Sequence, residues 1–424
     1  MTTAISRYGS RVIPTTQQII GDLERRDELI EGPRVAEFEA AFSKRVNGRT
    51  AVATSYGRMA FYYLLKAFAF PAGSEVVFPA LTFWVVPEVA RVLGLTPVFA
   101  DVDPRTFNLT PKSFQRAITA KTVAVVPTHL WGLPCDMDEI AGIAARHGIV
   151  VIEDCAHALG ATYRKRPVGT LGDAAFFSFQ MIKPLNTYGG GMAVARDRVI
   201  ANRVRKLAES APLPGIKAIK EKLWRGRVQR IATRPRIFTW TLFPAVYVST
   251  RFNWSIDMYF WEPIRRLEPL PADYHVRYAN VQAAIGLEGL RHLDRWQRRT
   301  ERHAARLSAV LSHVPGVRVP AVPSDRTHTF YQYSAYVPER DLVVARCLRR
   351  GVDIETLHVD VCSALDLFGG SAKASPGADE TTHSIQIPVY EALTDAELER
   401  VASVVRGAVE SVSMTAIAGE SRSA

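Results

Sequence analysis

The fold is decided between Val151 and Gly191. GIVVIEDCAHALGA (Gly148 to Ala161) opens on a short apolar run that ends in two carboxylates, Glu153 and Asp154. An apolar run without polar alternation is the pattern of a parallel strand buried on both faces. Asp154 then falls at the carboxyl end of that strand, where open α/β sheets bind ligands. About thirty residues on, a second apolar run in GDAAFFSFQMIK (Gly172 to Lys183) delivers one lysine, Lys183, ahead of PLNTYGGG, a turn-forming Pro and three glycines. Singly, a strand-end Asp also reads as a helix cap, and a Lys near a loop as a solvated side chain.

Together, a buried carboxylate and a lone amine beside glycines point to one chemistry above others. Pyridoxal phosphate is held as a Schiff base to a lysine, and a carboxylate against its pyridinium nitrogen keeps that nitrogen protonated. The stretch resembles the DegT/DnrJ/EryC1/StrS sugar aminotransferases, a branch of the fold-type-I pyridoxal-phosphate enzymes. The resemblance is carried by Ile152-Glu153-Asp154-Cys155-Ala156-His157-Ala158-Leu159-Gly160-Ala161, Gly172-Asp173, Phe177-Ser178-Phe179 and Lys183. It runs from about Ile30 to Arg406, interrupted near Arg203 to Leu270.

Composition sets wide bounds. A chain of 424 residues with 47% hydrophobic and 22% charged residues can bury a sizeable core in two or three domains. Its four cysteines, Cys135, Cys155, Cys347 and Cys362, form no CxxC or metal-type cluster, so no metal site is expected. That cysteine pattern suits a reducing cytoplasm. The N-terminus has no apolar core of signal-peptide length, and the longest uncharged apolar stretch, Ile237 to Thr250, is too short to span a bilayer. A net charge of +11 suits nucleic acid, anionic membrane or a polyanionic substrate, and a nucleotide-linked sugar is also an anion, so charge alone decides nothing. Nucleic acid is not among the expected partners.

Strand and helix patterns alternate from Arg49 to Ala195, which predicts a mainly parallel sheet with helices on both faces. Residues 1–202 are assigned to this large domain, with an entry arm over about 1–30. Residues 203–270 form an insertion, 271–311 return to the large domain through a bridging helix, and 312–424 make a smaller α+β domain. Residues from about Ser411 are small and polar and read as a frayed tail.

The resemblance implies roles for particular residues. Lys183 holds the cofactor and moves a proton at the substrate, Asp154 faces the pyridinium, and His157 touches the phenolic oxygen or orients the ring. Phe83, with Trp84 the runner-up, lies over the ring. Gly57, Arg58 and Ser178 hold the phosphate. Arg58 stands where the family carries a small hydroxyl residue, so its guanidinium either adds a contact or points outward. His275 stands where the family lends an Asn to the other subunit's phosphate. His129 either lines the site or is structural. The expected protein is a homodimer with shared active sites. It takes an amino-acid donor, glutamate, and a keto-sugar acceptor linked to a nucleotide. A cyclitol, a lipid-linked or hydrophobic ketone, or a non-catalytic regulatory role are the alternatives.

The insertion is the main departure. Residues 203–236 carry about eleven basic residues against two acidic ones, and the aromatic stretch Ile237 to Trp261 follows. Such a pair reads either as a surface packed on the protein body or the dimer partner, or as a peripheral membrane contact through residues 203–261.

Overall fold

The computed structural model describes residues 3–9, 13–251, 262–357, 359–370 and 375–420. The large domain follows the expected alternation. Two helices come first, α1 (Thr16–Arg25) and α2 (Arg34–Arg45). Then come β1 (Thr50–Thr54), α3 (Gly57–Phe68), β2 (Glu75–Pro79), α4 (Val85–Val92), β3 (Thr96–Ala100), α5 (Pro111–Ala117), β4 (Thr122–Val125), α6 (Met137–His147), β5 (Val150–Asp154), β6 (Ala174–Ser178) and β7 (Gly191–Ala195). The seven strands lie in the order β1-β7-β6-β5-β4-β2-β3. Strands β6, β5, β4, β2 and β3 pair in parallel, and β7 runs antiparallel to both of its neighbours.

Period-two alternation sends successive strand residues to opposite faces of this sheet. Val77, Val125, Val151, Ala175 and Val194 share one core with Phe38, Phe42, Phe114 and Ile140 of the helices on that side. Phe78, Ala124, Ile152, Phe176 and Ala193 meet Met59, Leu64, Val89 and Val204 on the other. Both faces are covered, which is why β5 and β6 read as unbroken apolar runs.

After β7 the chain forms α7 (Arg198–Glu209), α8 (Ile216–Ala232), α9 (Pro235–Trp240) and α10 (Leu242–Arg251). A boundary at Arg203 falls inside α7, and that side chain donates to the Ala67 carbonyl at the end of α3. The chain leaves the sandwich only beyond Glu209. Residues 252–261, the last part of the aromatic stretch, lie outside the described residues. Helix α11 (Asn280–Leu311) then spans 32 residues. Its first half packs on α2, where a Cβ on Gly286 would stand 2.7 Å from the Phe38 ring. Its last turns bury Ala304, Leu307 and Leu311 in the core of the smaller domain.

That domain pairs β8 (Tyr333–Tyr336) with β9 (Ser384–Ile387), antiparallel, under α12 (Arg340–Arg349), α13 (Pro376–Thr381) and α14 (Asp395–Glu420). Two sequence expectations change here. Only the first residues of the entry arm leave the large domain: Ile5 bridges to Val352 and is fully buried, and Arg7 pairs with Asp353 at 2.8 Å, whereas Ile13, Leu23 and Leu29 pack against the first half of α11. The tail does not fray from Ser411, because α14 continues to Glu420 and Val412 is buried among apolar neighbours. Both errors arise from long-range burial, which a local reading of small or polar residues cannot see.

Candidate active site

The two carboxylates at the end of β5 part company because a strand alternates its faces. The Glu153 side chain is fully buried and accepts hydrogen bonds from the backbone amides of Gly169, Leu171 and Gly172 at 2.7 to 2.9 Å. His129 Nε2 lies 3.0 Å away, and His129 Nδ1 accepts from the Cys135 amide. Burial pushes the Glu153 carboxyl up, but His129 and the amides outweigh it and hold it below the ordinary range. With Cys155, these two side chains bring ligand atoms within 4.8 Å of one another. Both His129 nitrogens and both Glu153 oxygens are already engaged, so the arrangement is a structural hub rather than a metal centre. Of the two readings of His129, the structural one holds.

Asp154 turns the other way, into a cavity. It is buried and accepts from the Ala156 amide at 3.0 Å. Burial pushes its carboxyl up to about 6, opposed by that amide and by the Lys183 charge. Lys183 enters from the turn after β6. Burial pushes its amine down to about 7, against the attraction of Asp154 and with the help of Arg58. Lys183 Nζ stands 3.4 Å from the Tyr331 hydroxyl and 4.6 Å from the centre of that ring. His157 is stacked on Tyr331 at 4.1 Å and on Trp131 at 5.7 Å, which fixes its plane.

The opposite end of the cavity is the start of α3. A Cβ on Gly57 would stand 2.9 Å from Ser178 Cβ and 3.0 Å from the Phe177 carbonyl. Only glycine lets the first turn of this helix come so close to the end of β6, and its free amides make an anion site. Arg58 points inward. It pairs with Glu262 and donates to the Tyr274 hydroxyl, with its guanidinium 4.8 Å from the Tyr274 ring and 5.8 Å from Phe83. Phe83 lies at the cavity, whereas Trp84, the runner-up, is 1% exposed in the core.

Seven of the eight residues read from the sequence, namely Gly57, Arg58, Phe83, Asp154, His157, Ser178 and Lys183, line one cavity of about 650 Å³. The eighth, His275, is exposed and lies outside the cavity of its own chain, 3.3 Å from the Tyr63 hydroxyl. The sequence reading missed Tyr331, Tyr8 and Thr128, and also Trp224, Arg225 and Val228 of α8, all of which contact Lys183 or line the cavity. Tyr331 sits in an alternating strand-like run, THTFYQYSAY, with no local mark of a role. The donor set fits pyridoxal phosphate. An amine and a carboxylate face one space, an aromatic ring bounds it, and a helix N-terminus with a hydroxyl and a guanidinium closes its anionic end.

Fold and site together define a fold-type-I pyridoxal-phosphate enzyme, an aminotransferase. The chain belongs to the DegT/DnrJ/EryC1/StrS aminotransferase family, whose sequence profile matches residues 13–406. It is 30% identical over 393 residues to the spore coat polysaccharide biosynthesis protein SpsC of Bacillus subtilis, covering 90% of this chain and 91% of that one. It is 30% identical over 391 residues to GDP-perosamine synthase of Caulobacter vibrioides, covering 87% and 88%. Among solved structures, DesI in the presence of its TDP-sugar product superposes with a TM-score of 0.75 at 27% identity, over 98% of this chain and 95% of that one. Among the described residues no helix is long and apolar enough to cross a membrane.

Proposed function

We propose that the protein moves an amino group from an amino-acid donor, glutamate, to a keto-sugar carried on a diphosphate. The observation that carries this reading is the meeting of Lys183 and Asp154 in one cavity, each shifted toward neutrality by burial. The relatives suggest the acceptor, since GDP-perosamine synthase carries GDP in its name and DesI was solved in the presence of its TDP-sugar product. A nucleotide is therefore the carrier that the family suggests.

When bound, pyridoxal phosphate supplies an aldehyde to take up the amino group and a cationic ring to accept electrons. Lys183 would hold it covalently. An amine whose pKa lies near 7 is a competent base at neutral pH, so Lys183 Nζ can take a proton from a substrate carbon and return it. Asp154, as carboxylate, would keep a proton on the ring nitrogen. His157, fixed in plane by Trp131 and Tyr331, would orient the ring, and Phe83 would exclude water from it. Ser178, the Gly57 amide and Arg58 would take the phosphate. We further propose a homodimer in which the exposed His275 reaches the phosphate of the second subunit.

The test is direct. Purified protein loaded with pyridoxal phosphate should absorb in the visible. Borohydride should then fix the cofactor to the peptide that carries Lys183, and glutamate should bleach the visible band. Labelling at another residue, or none, would remove the reading.

A further inference from the structure

Helix α8 presents apolar residues in two directions. Ile219 and Leu223 are buried, and a Cβ on Gly226 would meet the Tyr188 ring at 1.9 Å, so the helix lies tightly on the protein body. On another face Trp224, Val228 and Ile231 repeat at helical spacing and remain 62%, 44% and 37% exposed. Trp224 and Val228, with Ala232 and with Leu242 of α10, also form one wall of the cavity that holds Lys183. The stripe therefore starts at the active-site cavity and continues along α8 to Ile231, and Trp240 of α9 is also exposed, at 70%. Apolar surface of this kind marks a place that meets something apolar.

Charge accompanies it. Residues 216–236 hold eight Lys and Arg against one acid, Glu221. Two of these cations are at the cavity: Arg225 lines it, and the Lys222 ammonium stands 4.6 Å over the ring of Tyr56, which also lines it. A nucleoside is poorly served here, because its base and ribose need several matched polar partners. On this wall α8 offers only Arg225 and Gln229.

We propose that the acceptor is a keto-sugar joined through a diphosphate to a long apolar chain. The diphosphate sits near Lys222 and Arg225, and the chain lies along Trp224, Val228 and Ile231. The proposal rests on the aminotransferase reading above and changes its carrier from a nucleotide to a lipid.

The experiment uses the full-length holoenzyme, with farnesyl diphosphate and UDP as probes in calorimetric titrations. Farnesyl diphosphate should bind at least tenfold tighter than UDP, and both Trp224→Ala and Val228→Asp should weaken it at least fivefold. UDP binding as tight as farnesyl diphosphate, or variants with unchanged affinity, would overturn the proposal. So would a dimer that falls apart in Val228→Asp, which would assign the stripe to a subunit contact. Sedimentation with phosphatidylglycerol vesicles, without affinity for farnesyl diphosphate, would assign it to a membrane surface instead. Bleaching of the visible band by glutamate separates the two levels. If wild type responds to glutamate but ignores farnesyl diphosphate, the lipid carrier falls and the aminotransferase stands. If no amino acid bleaches the band, both fall together.

Discussion

Lys183 holds its nitrogen 4.6 Å from the centre of the Tyr331 ring and 3.4 Å from that ring's hydroxyl, a contact made across 148 positions of sequence. The ring face attracts the ammonium, while the hydroxyl lies beyond a normal hydrogen-bond length. The ring therefore matters more than its oxygen. Tyr331→Phe keeps the face and the stack on His157, and its kcat should stay within about threefold of wild type, the effect of a weak hydrogen bond near 0.5 kcal/mol. Tyr331→Ala loses both, and a desolvated cation–π contact of about 2 kcal/mol corresponds to a roughly 30-fold fall in kcat. Steady-state kinetics of the two variants decide the matter. Equal losses in both would shift the role to the hydroxyl.

The buried amine makes the cofactor-free protein sensitive to pH. Lys183 is pushed from 10.5 down to about 7. Between those values the unfolded chain carries a proton there and the folded chain does not, so stability rises with pH across that window, by up to about 1.4 kcal/mol per unit. Asp154, raised from 3.8 to about 6, acts in a lower window. There the folded chain holds the extra proton, and stability falls as pH rises from about 4 to about 6. Lys183→Met removes the first effect. It should unfold at a higher temperature than wild type at pH 7, both without cofactor, and the gap should narrow by pH 9. Loss of the ammonium also pushes Asp154 further up, which trims the gain at pH 7 and narrows the gap further toward pH 9. Parallel melting curves from pH 7 to 9 would show that the amine is not desolvated.

Glu153 carries structure rather than chemistry. Its carboxylate is the acceptor for three backbone amides and for His129, all buried. Glu153→Gln keeps the shape but turns an NH₂ group toward donors, leaving at least one of them without an acceptor. Removing one side of a buried charged network costs about 3 to 5 kcal/mol. Urea unfolding should register a loss of that order. A loss under about 1 kcal/mol would mean that the loop carrying Gly169 to Gly172 can find other acceptors.

How far the site could be read from the chain follows from distance along it. Asp154, His157, Ser178 and Lys183 stand on consecutive strands and turns of one unit, so a single motif displays them together. Gly57, Arg58 and Phe83 follow the first two strands, whose carboxyl ends reach the same edge of the sheet, and a doubly covered sheet predicts that edge. Tyr331 comes from the smaller domain and Tyr8 from an arm that joins it, and neither contact has a local signature. The α8 wall is of the same kind. Its basic and apolar composition is plain in the sequence, but which cavity it faces depends on packing against Tyr188. Glu153 shows the limit most sharply. It sits beside Asp154 in the chain, yet the strand's alternation gives it to the opposite side of the sheet.

Gly57 tests the close approach of α3 to β6. Its backbone is not in the left-handed region, so alanine suits its conformation and favours the helix by roughly 1 kcal/mol. The difficulty is space. The new methyl would stand 2.9 Å from Ser178 Cβ and 3.0 Å from the Phe177 carbonyl, neither of which is the end of a flexible side chain. Helix and strand must separate by a few tenths of an ångström, and overpacking of this sort costs about 1 to 3 kcal/mol, so the net change in stability should be small. The proposed phosphate donors lie on the two sides of that contact, the first amides of α3 on one and Ser178 on the other. Moving them apart should therefore raise the dissociation constant for pyridoxal phosphate by about tenfold while the fold survives, since charge-assisted contacts of about 1.5 kcal/mol or more are lost. Absorbance titration of the cofactor against Gly57→Ala measures this. Undiminished affinity, with urea unfolding also unchanged, would show that the two elements are free to part and that the phosphate is held elsewhere.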